Sequence, residues 1–290
     1  MKAIRQIKDS VGMVRALELC GASRNKWYHK KKGPATDGRR RRPDDDLTWS
    51  RVLQVAGARP AYGTRRMAAQ LARDHGAPTN RKKIQRLYRM KGWIEPKKTK
   101  SQIIRSNKEL PRPSGPGRFW EADMSYVWCG ESGWCYCFNV VDVYTREWLA
   151  YRFERTAISE HAVTALRDAM ALHRPDVPGL TVRVDNGPQY TSRGFRQAAR
   201  MLGVRIDYIY VNTPQQNGHI ESFHKTLKKE YVWPNAFESY LEALEFLREA
   251  HRDYNHERIH SALGYVPPAE FAERSKRGQR APKTEVEYCA

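Results

Sequence analysis

Three acidic residues stand where a carboxylate could do chemistry. Asp123 lies inside the apolar run WEADMSYV, where burying a charge without a partner is costly. Asp185 ends the β-branched run TVRV, and Glu221 comes early in the segment QQNGHIESFHKTLKKE. Each acid alone has an ordinary explanation, since acids often end strands and open helices, and an Asn-Gly turn signal follows Asp185.

Taken together, the three acids predict a metal site. Mg²⁺ and Mn²⁺ prefer carboxylate, water and phosphate oxygens as ligands. Two such ions can activate a water or a 3′-hydroxyl and stabilise the leaving oxygen of an in-line phosphoryl displacement. We therefore expect Asp123, Asp185 and Glu221 to hold two Mg²⁺ ions, for which Mn²⁺ can substitute, beside a phosphodiester.

The elements that would position these acids form a mixed α/β domain. Three β-rich runs, FWEADMSYVWC, WCYCFNVVDVYT and EWLAYRFE, predict an antiparallel meander. They are followed by a series of alternating helices and strands. The predicted order is a helix over 159–173, the strand TVRV, a helix near 192–202, a strand over 204–210 and a helix from about 217 to 231.

The N-terminal part is predicted to be helical and basic. In YGTRRMAAQLARDHGAPTNRKKIQRLYRMKGW, apolar residues recur at helical spacing on both sides of a turn, and Thr79 or Asn80 caps the second helix. The cations fall mostly off the apolar stripe, which suits a DNA groove, although a solvated basic face is the alternative. The predicted divisions are a partial helix-turn-helix (1–32), a linker (33–46), a helix-turn-helix DNA-binding domain (47–95), a second linker (96–118), a catalytic core (119–273) and a tail (274–290).

Charge is distributed unevenly along the 290 residues. Residues 1–117 contain 30 Lys and Arg against 9 Asp and Glu, whereas residues 118–290 contain 22 against 23. This asymmetry predicts a phosphate-binding module joined to a part that does other work. No apolar run is long enough for a membrane span, so we expect a cytoplasmic protein. The five cysteines lack disulfide or zinc spacing and are expected to be free thiols.

The spacing of the acids carries a resemblance. Between Asp123 and Asp185 lie 61 residues, and between Asp185 and Glu221 lie 35. The acids lie in the segments WEADMSYV, VDNGPQY and TPQQNGHIES. This pattern resembles the retroviral-integrase-like core of DDE transposases and integrases. The helix-turn-helix and the segment YNHERIHSALGYVPPAEF resemble insertion-sequence transposases of the IS-three family, as their second-reading-frame product. The segment QQNGHIES departs from the pattern of the insertion-sequence transposases and is closer to that of the retroviral enzymes.

The resemblance implies a ribonuclease-H-like fold and an enzyme of DNA transposition. Such an enzyme binds the terminal repeats of its element, cleaves a strand and joins a 3′-hydroxyl to a target phosphate. It implies double-stranded DNA as partner, a homo-oligomer in a synaptic complex, and the upstream-frame product as a further candidate partner. The alternatives are a nuclease or resolvase of the same fold, and a non-catalytic DNA-binding remnant.

Residues beside the acids and in the basic helices are candidates for DNA contact. Lys228, seven residues after Glu221, corresponds to a cation that is usual in the family. For the side-chain amides of Asn186, Gln216 and Asn217, a role in forming turns is an equal alternative. For Lys225 and Lys228, the alternative is a solvent-exposed side chain with no DNA contact. The predicted DNA-binding residues are Arg65, Arg66, Arg81, Lys82, Lys83, Arg86, Asn186, Gln216, Asn217, Lys225 and Lys228.

Several other residues are given structural interpretations. His224 is expected at the surface, with proton transfer as the alternative, and Arg258 and His260 could contact either DNA or the core. Cys135 and Cys137 point the same way along one strand and are expected to be core thiols. The tryptophans at 128, 134 and 148 are likewise expected to pack in the interior.

Overall fold

The computed structural model describes residues 16, 19–20, 42–76, 78–94, 113–173, 179–210 and 214–278. The predicted partial helix-turn-helix, most of both linkers and most of the C-terminal tail lie outside the described residues. Within the described part, no helix is long and apolar enough to cross a membrane.

Three helices form the basic N-terminal unit: α1 (Asp45–Ala58), α2 (Thr64–His75) and α3 (Arg81–Met90). Their apolar faces meet in one cluster that includes Val52, Met67 and Ile84. The α2 helix ends at Gly76, whose φ of 62° is the left-handed conformation that favours glycine. The side chain of Asn80 accepts from the backbone N–H of Lys82 at 2.8 Å and caps α3, so the predicted cap is confirmed.

The part that follows the N-terminal unit is built on a mixed sheet, which has five strands within the described residues. The strands are β1 (Phe119–Trp128), β2 (Trp134–Asp142), β3 (Trp148–Glu154), β4 (Thr181–Val184) and β5 (Arg205–Tyr208). Their order is β3-β2-β1-β4-β5, with β1, β2 and β3 antiparallel and β4 and β5 parallel to β1. This is the ribonuclease-H-like sheet, and the predicted fold class is confirmed.

Helices cover both faces of the sheet. On one face lie α4 (Ser159–His173), the short α5 (Pro188–Thr191) and α6 (Arg193–Met201), around a core that includes Trp120 and Phe138. On the other lie α7 (Gly218–Thr226), its π-helical continuation Leu227–Val232, and α8 (Tyr240–His256). Side chains of a strand alternate between the two faces, so β1 contributes to both cores. A last helix, α9 (Pro268–Lys276), packs against α8.

The N-terminal unit packs against the segment that follows α8. Ile259 is fully buried in the apolar cluster of α1, α2 and α3, and its backbone N–H donates to the hydroxyl of Tyr62 at 3.1 Å. Two ion pairs flank this contact, Arg59 with Asp253 and Arg66 with Glu230. The N-terminal unit is thus joined to the helices that continue from Glu221.

The aromatic and thiol predictions had mixed outcomes. Trp148, Cys135 and Cys137 are fully buried, as predicted. The interior placement of Trp128 and Trp134 was wrong, since they are 54% and 57% exposed. They lie opposite each other at the end of the β1–β2 hairpin, beyond the helices that cover the sheet, and stack edge-on with ring centroids 5.3 Å apart.

Candidate active site

Asp123 lies in the middle of the central strand. It is opposite Asn139 of β2, and its Oδ1 accepts from the backbone N–H of Met124 at 2.8 Å. Its side chain is only 22% exposed. A carboxylate held here is desolvated on most sides and has no cation bonded to it in the described residues, which is an arrangement that favours the neutral acid.

Asp185 follows β4, the parallel neighbour of β1. The sequence raised two explanations for this acid, a turn former and a site residue, and the structure gives it the first role directly. Its Oδ1 accepts from the backbone N–H of Gly187 at 3.0 Å, closing an Asx turn before α5. Because β1 and β4 run in parallel side by side, this carboxyl also lies near Asp123.

Glu221 lies in the first turn of α7, on the side of the sheet that α7 and α8 cover. The residue is exposed, while Ile220 and Phe223 beside it are buried. Ile220 is anchored by Glu121 of β1, whose Oε2 accepts its backbone N–H at 2.7 Å. The helix therefore starts directly on the strand that carries Asp123.

The electrostatics of Asp123 link the three acids. Burial is the main cause that raises its pKa to about 7, and the nearby carboxylates of Asp185 and then Glu221 raise it further. Lys228 opposes this shift from the next turn of the helix. Like charges that converge on one buried carboxyl favour a bound cation, which would relieve the repulsion.

The donor chemistry of this cluster fits a hard divalent cation. Asp123, Asp185 and Glu221 supply carboxylate oxygens only, which are the ligands that Mg²⁺ and Mn²⁺ prefer. Within the described residues, however, no three His, Cys, Asp or Glu side chains lie close enough together to surround one ion. The three acids are therefore near enough to interact electrostatically, but they do not form a closed ligand set.

His224 is buried beside Asp123, and the expected surface position was wrong. Its Nδ1 lies 3.6 Å from Oδ2 of Asp123, and its Nε2 lies 3.2 Å from Nδ2 of Asn139. Burial lowers the pKa of this histidine to about 3, so the ring is neutral and does not form an ion pair with Asp123. The helical spacing from Ile220 contained this signal, because residue 224 lies one turn further on the same buried face.

Comparison with known proteins identifies the families that this chain resembles. The integrase core domain family matches residues 113–214 and 202–268, and an HTH-like domain family matches residues 47–100. The chain is 31% identical over 289 residues to an uncharacterized 31.7 kDa protein of insertion element IS407 from Burkholderia multivorans, covering 97% of this chain and 98% of that protein. It is 32% identical over 258 residues to the transposase InsD for insertion element IS2 of Escherichia coli, covering 81% of each.

The chain belongs to the IS-three family of insertion-sequence transposases. It is a DDE transposase with an integrase catalytic core, an enzyme of DNA transposition that binds DNA. Among solved structures, it is similar to the HTLV-2 integrase catalytic core domain in complex with magnesium, at 16% identity and a TM-score of 0.44. That match covers 56% of this chain and 99% of the other.

The predicted DNA-binding cations of this transposase fall into three groups. Arg65, Lys82 and Lys225 are exposed. Three others are held in ion pairs: Arg66 with Glu230, Lys83 with Asp44, and Arg86 with the buried Asp45. Arg81 and Lys228 are half-buried.

The predicted amide contacts lie near the acids but bond within the protein. Asn186 donates to the carbonyl of Ile209 at 2.8 Å, and Gln216 accepts from the backbone N–H of Tyr210 at 2.8 Å. Asn217 is buried at the start of α7. These bonds support the turn-forming alternative for Asn186 and Gln216.

Among the buried charged groups, Glu121 was missed in the sequence, and Arg258 was left between two roles. Glu121 is fully buried, and burial raises its pKa to about 7, although no signal in the run FWEADM separates it from an exposed strand residue. Arg258 is 2% exposed and donates to both carboxylate oxygens of Glu230 at 2.7 and 2.8 Å. Its open assignment between DNA and the core is thereby decided for the core.

Proposed function

We propose that Asp123, Asp185 and Glu221 are the catalytic carboxylates and the metal ligands of this transposase. The observation that carries the proposal is the position of the Asp123 carboxyl in the central strand, where burial and then the nearby Asp185 and Glu221 raise its pKa. Two Mg²⁺ ions, with Mn²⁺ as substitute, would lower the barrier by polarising the scissile phosphate and the attacking and leaving oxygens. The three side chains hold and orient these ions.

The chemistry consists of two phosphoryl transfers at this site. In the first, a water oxygen attacks a phosphorus at the element end, and the P–O3′ bond breaks to leave a 3′-hydroxyl. In the second, that 3′-oxygen attacks a target phosphorus, the target P–O3′ bond breaks, and the attacking hydroxyl loses its proton. Lys225 and Lys228, on the helix of Glu221, are placed to bind the phosphates that flank the reacting one.

The N-terminal unit is proposed to bind the terminal repeats of the element. Arg65, Arg81 and Lys82 would contact phosphates, whereas the ion-paired Arg66, Lys83 and Arg86 orient the unit. We retain the division into a helix-turn-helix domain (47–95) and a catalytic core (119–273). The enzyme would act on the bacterial nucleoid as a homo-oligomer that holds both ends, with the upstream-frame product as a further partner.

A cleavage and joining assay tests the proposal. Labelled DNA from the two flanks of the gene is incubated with Mg²⁺ or Mn²⁺ and with the wild type or the Glu221→Gln variant. We expect metal-dependent nicked and joined products from the wild type. In Glu221→Gln, the yield of both products should fall by about 100-fold or more, with DNA binding retained. Glu245→Gln, an exposed acid of α8, is the matched control.

The other outcomes separate the alternatives. Nicking without joining would indicate a nuclease of the same fold. Binding without cleavage, both alone and with the upstream-frame product added, would indicate a non-catalytic remnant. Equal activity of the wild type and Glu221→Gln would contradict the assignment of the site.

A further inference from the structure

The start of the Glu221 helix is held by side chains from three places in the sheet. Glu121 of β1 accepts from the N–H of Ile220 at 2.7 Å, and Arg183 of β4 donates to the carbonyl of Gln216 at 2.9 Å. Arg146, in the turn between β2 and β3, contacts the ring of His219. We call Glu121, Arg146 and Arg183 the helix-start clamp.

Glu121 has the central place in this clamp. It is fully buried and pairs in register with Val141 on one side and Arg183 on the other, so it lies inside the sheet. Ile220 is the third residue of α7, and its N–H is one of the groups that a helix leaves without an internal partner. The side chain of the preceding Asn217 does not cap the helix. Glu121, from strand β1, accepts the N–H of Ile220 instead.

The cost of burying Glu121 indicates a role beyond capping. One carboxylate oxygen bonds to Ile220, whereas the buried Oε1 has no hydrogen-bond partner among the described residues. Burying an acid with one oxygen unsatisfied destabilises the fold, so stability alone does not explain Glu121 at this position. The backbone of Arg146 is also strained, with a φ of 62° in a residue that is not glycine.

The placement of Glu121 relates it to two of the proposed metal ligands. It is two residues before Asp123 on β1, and the amide that it binds belongs to the residue immediately before Glu221. We propose that Glu121 is a positioning residue, which fixes the start of α7 on β1 and thereby sets the separation of Glu221 from Asp123. This inference rests on the proposed function of those two acids.

Two variants of the full chain test the role of Glu121. Glu121→Leu removes the acceptor for Ile220, while Glu121→Gln keeps one side-chain oxygen in the same place. Asn255→Leu is the control, since it also removes a buried side chain that bonds to the backbone. The Asn255 amide bonds to the backbone N–H and the carbonyl of Trp148, each at 2.9 Å. Arg183→Met removes the neighbouring bond to Gln216 and provides a second route to the same effect.

The first measurement is hydrogen exchange of metal-free protein, read by mass spectrometry on peptides that contain residues 218–226. We expect exchange about 10-fold faster in Glu121→Leu, with Glu121→Gln close to the wild type. Arg183→Met should accelerate the same peptides, and Asn255→Leu should leave them unchanged. This readout depends on neither metal nor catalysis.

The second measurement is the affinity for Mn²⁺, obtained from calorimetric titration of the DNA-bound protein. We expect it to weaken about 10-fold to 100-fold in Glu121→Leu and less than about 3-fold in Glu121→Gln, as for residues that orient metal ligands. The inference is overturned if Glu121→Leu matches the wild type in both measurements, if it changes only as Asn255→Leu does, or if Glu121→Gln is equally impaired. A wild type that binds no Mn²⁺ would contradict the proposed function, while the exchange data would still decide whether Glu121 anchors the helix.

Discussion

The proposed phosphoryl-transfer chemistry depends on the carboxyl of Asp123. It lies against neutral His224 in a mostly buried position, with Asp185 and Glu221 near enough to repel it. A site that is unfavourable for an isolated carboxylate is suited to one that shares a cation. The position of Asp123 therefore costs the fold stability, and it suits the metal-binding role proposed for this residue.

This cost can be measured as a dependence of stability on pH. The pKa of Asp123 is raised above its unfolded value of 3.8 to about 7, so the native state binds more protons between these values. The free energy of unfolding contributed by this residue therefore falls as pH rises from about 4 to 7.

Replacing Asp123 by asparagine removes the titrating group. In metal-free buffer, we expect the gain in unfolding free energy of Asp123→Asn over the wild type to grow by about 4 kcal/mol between pH 4 and pH 8. Urea unfolding at the two pH values measures this gain. A difference that stays constant across the range would contradict the raised pKa.

The sequence contained part of the information at this scale. The three acids can be singled out in the sequence by their residue types and spacing. The structure places Asp123 on the central strand, Asp185 after its parallel neighbour and Glu221 on the facing helix. The burial of Glu121 could not be predicted, because strand alternation alone does not tell which face of a two-sided sheet is covered at a given residue.

At the scale of elements, the helix of Glu221 connects the site with the DNA-binding unit. The π-helix Leu227–Val232 continues from α7 and carries Glu230, which accepts from Arg258 of the core and Arg66 of α2. Burial opposes ionisation of Glu230, but the hydrogen bonds and charges of Arg258 and Arg66 together outweigh it and hold the pKa of this carboxyl below its usual value. A buried acid bound by two arginines thus fixes α2 against the helix that follows the active site.

Removing one partner of this buried pair is expected to be strongly destabilising. Arg258→Met should lower the free energy of unfolding by about 3 kcal/mol, because Glu230 then stays buried with less compensation. Arg277→Met is the matched control, since its pair with Glu273 is more than 70% exposed on both sides, and less than about 1 kcal/mol is expected there. Equal losses in urea unfolding would contradict the structural role of Arg258.

Element boundaries were predictable where the pattern is strong. The helix over 159–173 was predicted at the residues where α4 lies, because its apolar and polar residues alternate with helical period. The predicted helix at 217–231 is instead α7 followed by a π-helix. A π-helix has no sequence signature of its own, since it arises from the packing around Leu227 and Tyr231.

At the scale of the whole molecule, the basic charge is concentrated before residue 118, and the described part of it forms the helical unit beside the core. Phosphate binding by such a unit releases counterions, so affinity falls with salt in proportion to the number of cations engaged. The structure separates cations that are exposed from those held in ion pairs, and two neighbouring lysines of α3 allow a direct comparison.

Lys82→Ala is expected to weaken DNA binding and to reduce the slope of log affinity against log salt concentration by about 1. Lys83→Ala should change this slope far less, because the ammonium of Lys83 is already bonded to Asp44. Fluorescence anisotropy with flank DNA at several salt concentrations measures both slopes. Equal changes in the two variants would show that the ion pair opens on binding DNA.

We propose that this transposase joins a DNA 3′-hydroxyl to a target phosphate through Asp123, Asp185 and Glu221. The most direct measurement supplies pre-cut element ends that carry either a 3′-hydroxyl or a 3′-deoxy terminus, together with target DNA and Mg²⁺. We predict joined product only from the 3′-hydroxyl ends, and none from Glu221→Gln that binds the same DNA. Joining that survives in Glu221→Gln, or no joining of pre-cut ends by a DNA-bound wild type supplied with the upstream-frame product, would contradict the claim.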